Sequence, residues 1–158
     1  MKAVVAAAIL VTTTSAGICD EQIPMPQHPI SDCRKLSDKK SCLKESWKEY
    51  KQAILSEYKH WKNFEPVALS GDETQINIAF RTAMENGWYV HNHWEPIMPD
   101  GDEAEIISYD EAERIFACRT AIIDMKFWLV GLTTDGSRNA EDRASYRKSS
   151  KECEKTKR

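Results

Sequence analysis

The chain has 158 residues, with 22 Lys and Arg against 25 Asp and Glu and a hydrophobic fraction of 41%. That length fits one ordinary domain able to bury its own core, and the regular recurrence of apolar and aromatic residues excludes a chain disordered throughout. The formal net charge of -3 supplies no electrostatic reason to bind nucleic acid.

Lys2 precedes an apolar run from Ala3 to Val11, and small residues fill Thr12 to Gly17. This is the order of a secretory signal peptide. The run is too short to span a bilayer, which takes about 20 residues. Residues 1–17 are therefore read as a leader, and the mature chain is expected to begin near Gly17 or Ile18. Loss of Lys2 leaves 21 basic residues (22 less one) against 25 acidic ones. The expected location is the periplasm or the extracellular space, where disulfides persist.

Five cysteines follow the leader: Cys19, Cys33, Cys42, Cys118 and Cys153. In an exported chain they imply two disulfides and one odd thiol. Ile18 stands where a lipoprotein signal places a small residue, which argues against lipid on Cys19. Residues 18–35 carry Pro24, Pro26 and Pro29 and read as an extended arm. A helical domain over 36–158 follows it.

Leu43, Trp47, Tyr50, Ile54, Tyr58 and Trp61 fall on one stripe of a helix, with Lys and Glu filling the other faces. Ser37 or Asp38 can cap its start, Asn63 lies in its last turn, and Pro66 stops it. A second helix is expected from Glu73 to Asn86, capped by Ser70 and Asp72 and ended by Gly87. Its apolar line is Ile76, Phe80 and Met84.

Trp88 to Trp94 favours a strand. Pro99, Asp100 and Gly101 signal a turn, and residues Glu103 to Ile107 suit the second half of a short hairpin or a loop. Ser108 and Glu111 have capping-box spacing and open a long helix from Tyr109 to Leu132. Between Ile115 and Leu132 this helix is apolar almost all round, which describes the buried central helix of a bundle. Asp124 and Lys126 in its middle exclude a membrane span. After a turn at Asp135 and Gly136, a polar helix is expected from Asn139 to Lys155, and its basic residues are interleaved with Glu152 and Glu154 as on a solvated face. Cys118 and Cys153 lie equally far from that turn, so an antiparallel hairpin brings them face to face. Cys33, Cys42 and Cys19 are left to share the other bond. The expected fold is mainly α, a single-domain, disulfide-stabilised bundle of about four helices. The short strand or hairpin lies between the second and third of them.

His91 and His93 on a strand point the same way, so both imidazoles can meet one Zn²⁺ or Cu²⁺. Glu95 continues that face. Asp100 to Glu111 matches the EF-hand calcium loop at Asp100, Asp102, Ile107, Ser108 and Glu111. It departs at Ala104, where an oxygen ligand belongs, and at Glu105, where the turn takes Gly. Trp88, Tyr89, His91, His93, Trp94 and Glu95 form the densest aromatic and polar cluster in the chain, the composition of a recognition surface. Alternatively, Trp88 and Trp94 pack into the core. The chain holds no Gly-x-Ser-x-Gly, His-Glu-x-x-His or Cys-x-x-Cys motif, and no cofactor is implied.

The stretch from Leu43 to Ala53, with Trp47, Tyr50 and Lys51, resembles the Trp-x-x-Tyr/Phe-Arg segment of the LprI-type family of exported helical lysozyme inhibitors. Cys118 ahead of a long helix is similar too. The Gln-Arg pair that precedes the Trp in that family is missing, and Gly71 to Asp102 has no counterpart. The spacing is also that of any amphipathic helix, so no residue role is carried over.

Together these readings predict an exported, non-enzymatic binding module, an inhibitor or immunity-type protein that occludes a protein partner through Trp88 to Glu95. The rival is a metal-binding protein or metal-dependent enzyme using His91 and His93.

Overall fold

A computed structural model describes residues 30–86, 98–134 and 139–155. In chain order these form α1 (Ile30–Cys33), α2 (Lys39–Lys62), α3 (Glu65–Ser70), α4 (Glu73–Asn86), a 3-10 helix (Gly101–Glu105), α5 (Tyr109–Thr133) and α6 (Asn139–Cys153). No strand occurs among the described residues. The leader, residues 18–29 of the arm, the Trp88–Trp94 segment and the Asp135–Gly136 turn lie outside them.

All six stripe residues of α2 are buried, from Leu43 to Trp61. Asp38 is the N-cap and accepts from the Ser41 N–H at 3.3 Å. Lys59, His60 and Lys62 occupy the last turn, where cations suit the negative end of the helix dipole. Pro66 does more than end α2. It sits in the first turn of α3, where a missing N–H costs no hydrogen bond. Gly71 then turns left-handed at φ 70°, and Asp72 caps α4 by accepting from the Gln75 N–H at 3.1 Å. Ile76 and Ala79 of α4 are buried, and Phe80 packs against the core.

Three sequence expectations are corrected here. The arm does not stay extended to residue 35, because Ile30–Cys33 forms one helical turn, pinned to α2 by the Cys33–Cys42 disulfide. Residues Glu103 to Ile107 form no hairpin strand, because the chain coils into the 3-10 helix instead. Its cause is Glu103, only 2% exposed. The Arg34 guanidinium grips it through Nε at 2.8 Å and a second nitrogen at 2.9 Å, and the Asp100 N–H donates to it at 3.1 Å. The Ser108–Glu111 capping box is also absent. Ser108 is the N-cap of α5 but makes no side-chain cap bond. Glu111 reaches α2 instead, accepting from Trp47 Nε1 at 2.9 Å and Lys51 Nζ at 2.8 Å.

Helix α5 is the centre of the bundle and packs against α6, α2, α4 and α3. Its buried face runs through Ala112, Ile115, Cys118, Ala121, Ile122, Met125, Trp128 and Leu129. Helix α6 is mostly polar and is held by specific ties. Cys153 is bonded to Cys118. The Tyr146 ring lies 5.7 Å from that of Trp128, and Trp128 Nε1 donates to Asn139 Oδ1 at 2.7 Å. Ser149 Oγ donates to Asp124 Oδ2 at 2.7 Å.

Candidate functional site

Trp88, Tyr89, His91, His93, Trp94 and Glu95 all lie outside the described residues. Among the described residues no group of three or more His, Cys, Asp or Glu side chains is placed to hold a metal. The ring of His60 stands edge-on to Phe64 at 5.4 Å on the flank of α2. The acidic loop from Asp100 to Glu111 does not fold around a calcium position. Glu103 is turned to Arg34 and Glu111 to Trp47 and Lys51, and the loop backbone is the 3-10 helix.

The structure brings together a second group that sequence spacing does not reveal. An open hollow of about 560 Å³ lies between α2, α3 and α6, with Lys62, Glu65, Arg147, Ser150, Lys151 and Glu154 around it. Buried hydroxyls bond the residues that line it. Tyr58 OH lies 2.7 Å from Ser150 Oγ and donates to Glu154 Oε1 at 2.7 Å. Tyr146 OH donates to Glu65 Oε2 at 3.2 Å. Lys62 Nζ also bonds Glu154. Tyr58 and Tyr146 are buried and their hydroxyl ends reach this polar edge, the usual placement of a tyrosine with an apolar body and a polar tip.

Electrostatics follow from that arrangement. Burial, and then the bonds and charges of neighbouring carboxylates, push the Tyr58 and Tyr146 phenols above their ordinary range. Lys62 and the Tyr58 hydroxyl hold Glu154 below the usual carboxylate range. A phenol that stays protonated donates hydrogen bonds and takes no proton from Ser150 at neutral pH. The phenol protons are committed to Glu154 and Glu65, so what the hollow offers a ligand is its rim cations. Tyr50, two turns earlier on the same stripe of α2, is pushed up to about 12 by burial.

The other exposed feature is on α5. The helix reads as apolar all round, yet Phe116 is 45% and Phe127 57% exposed. With Thr120 and Ile123 they recur at spacings of four, three and four, so they share one stripe. The expectation of a fully buried central helix is corrected on this face: α2, α4 and α6 cover the other sides.

The disulfides join Cys33 to Cys42 and Cys118 to Cys153. Cys19 lies outside the described residues. No described helix is long and apolar enough to cross a membrane. Comparison with protein families, with curated proteins and with solved structures finds no match to this chain.

Proposed function

We propose that this protein is an exported binding module that occludes a protein partner in the periplasm or outside the cell, with no substrate turnover of its own. The observation that carries this reading is the exposed stripe of α5. Phe116 and Phe127 stand in solvent on a helix whose opposite face is the centre of the core. Large aromatics on a rigid element lose little conformational freedom on binding and commonly anchor interfaces. Two half-exposed phenylalanines bury far less than the roughly 800 Å² per partner of a stable dimer. The stripe therefore suits one anchor within a larger heterologous interface better than a self-association surface. The aromatic cluster from Trp88 to Glu95, which follows α4 in sequence, supplies the composition for more of it. The leader and the two disulfides support an oxidising, exported setting.

The commitments of the polar groups support binding over chemistry. Glu103, Glu111, Glu154 and Glu65 are each engaged by a donor within the fold, and Ser150 has a phenol for its neighbour. The test is site-specific photo-crosslinking in the native compartment. A photoreactive residue at 127 should trap one discrete protein adduct, and the same residue at the exposed Lys148 should trap none. Adducts at neither position, or a smear equal at both, would overturn the reading.

A further inference from the structure

We propose that the hollow between α2, α3 and α6 is an oxyanion site that takes a sulfate or phosphate group on Arg147 and Lys151. The inference is independent of the partner-binding reading.

The argument starts from the charges at the rim. Arg147 and Lys151 are both exposed and stand one turn apart on α6. Like charges at this spacing repel and weaken a helix. Neither forms an ion pair with a described carboxylate. Of the two carboxylates at the hollow, Glu154 is paired with Lys62, while Glu65 accepts only from the neutral Tyr146 phenol and keeps its charge. Lys155, also at the rim, is paired with Glu152. In a chain of net charge -3, two cations without an ion-pair partner thus face one concavity against the single unpaired charge of Glu65, which leaves it locally positive.

The chemistry of the pair selects the ligand. A guanidinium presents a planar fork of N–H groups that matches two oxygens of a tetrahedral oxyanion, and an ammonium beside it adds a point charge. A dianion neutralises both at once and removes their mutual repulsion. The backbone that carries the pair is also held in place. Tyr146, just before Arg147, is packed on Trp128, and Ser150, just before Lys151, is bonded to Tyr58. The Cys118–Cys153 bond fixes the helix end beyond them. The ordering cost of binding therefore falls on the two exposed side chains and not on the backbone.

The test uses the mature, oxidised protein labelled with ¹⁵N and titrated with inorganic phosphate and, separately, inorganic sulfate. Sodium chloride at equal ionic strength is the reference. The expected result is saturable shifts of amides near Arg147 and Lys151, with apparent affinity at least about tenfold above that for chloride. Saturation by one anion alone supports the site and identifies the group it takes; saturation by both makes it a general dianion site. The Arg147→Gln/Lys151→Gln protein should lose the saturable response while its melting curve is retained. Arg147→Lys, which keeps the charge, should retain a weaker response and serves as the second variant if the double one unfolds. Shifts that follow ionic strength equally for all three salts, or saturation that persists in the Gln variant, would overturn the proposal.

Discussion

Cys153, the last residue of α6, is bonded to Cys118 on the buried face of α5, with the two Cα atoms 4.5 Å apart. The bond holds the C-terminal end of a helix whose few buried side chains, Tyr146, Ser149, Ser150 and Cys153, are mostly small or polar. Such a helix has little apolar burial to keep it in place, so the cross-link and the hydroxyl ties to α2 and α5 take that role. The fold is thereby divided into a hydrophobic part, α2 with α5, and a part that depends on specific bonds, α6.

Replacing Cys153 tests that division. The bond closes a loop of 35 residues, for which the chain-entropy model gives about 3–4 kcal/mol. Cys153→Ala should lower the unfolding free energy obtained from a urea titration by that order. Hydrogen exchange should rise along Asn139–Cys153 first, while α2 stays protected. Equal loss of protection in both helices would show that α6 is not a separable unit.

Tyr58→Phe removes one hydroxyl and leaves the ring in place. It deprives Glu154 and Ser150 of a partner and should cost about 1–2 kcal/mol. A double-mutant cycle with Ser150→Ala isolates the pair, and a coupling energy of at least about 0.5 kcal/mol is expected for groups in direct contact. Additive losses would mean that the two hydroxyls act separately.

The acid limb of stability should depend on Glu103. Arg34 holds this carboxyl below the usual range, and the Asp100 N–H and Lys39 add to the effect against the opposing cost of burial. Its folded pKa is therefore below its unfolded one. The stability it contributes is fully present above the unfolded carboxylate pKa and disappears as pH falls through the folded value. Asp124 has the opposite sign, because burial raises its pKa. Its charged form opposes folding as pH rises through the carboxylate range. Glu103→Gln should thus flatten the loss of stability toward low pH, and Asp124→Asn should leave neutral-pH stability unchanged or higher. Both are read from melting temperature against pH, and an unaltered acid limb in Glu103→Gln would refute the assignment.

The parts of this fold that were legible in sequence are those where one local rule dominates. The stripe from Leu43 to Trp61 repeats with the period of a helix, and each of its members is buried. The start of α4 follows from the capping oxygen of Asp72. The local rules misled where a tertiary partner outcompeted them. Ser108 and Glu111 have capping-box spacing, but the Trp47 indole and the Lys51 ammonium claim the Glu111 carboxylate. Pro66 reads as a stop, yet it opens a further short helix. The hollow was not legible at all. Tyr58, Glu65, Tyr146, Ser150 and Glu154 come from three helices, and each reads as an ordinary polar or core position on its own. The exposed stripe of α5 was hidden for the opposite reason: a helix apolar on every side does not say which side is left uncovered.

The central claim is that Phe127 belongs to a binding surface. The direct measurement is made on the single Phe127→Ser variant, with melting temperature and affinity for the crosslinked partner taken on the same preparation. A side chain 57% exposed keeps only the smaller part of its surface in the core, so stability should fall by about 1–2 kcal/mol and leave the protein folded. Affinity should fall by at least about tenfold, the mark of an interface anchor. As a control, Ile122→Ala, fully buried on the opposite face of the same helix, should cost about 2–5 kcal/mol in stability. Unchanged affinity in a fully folded Phe127→Ser protein would contradict the account.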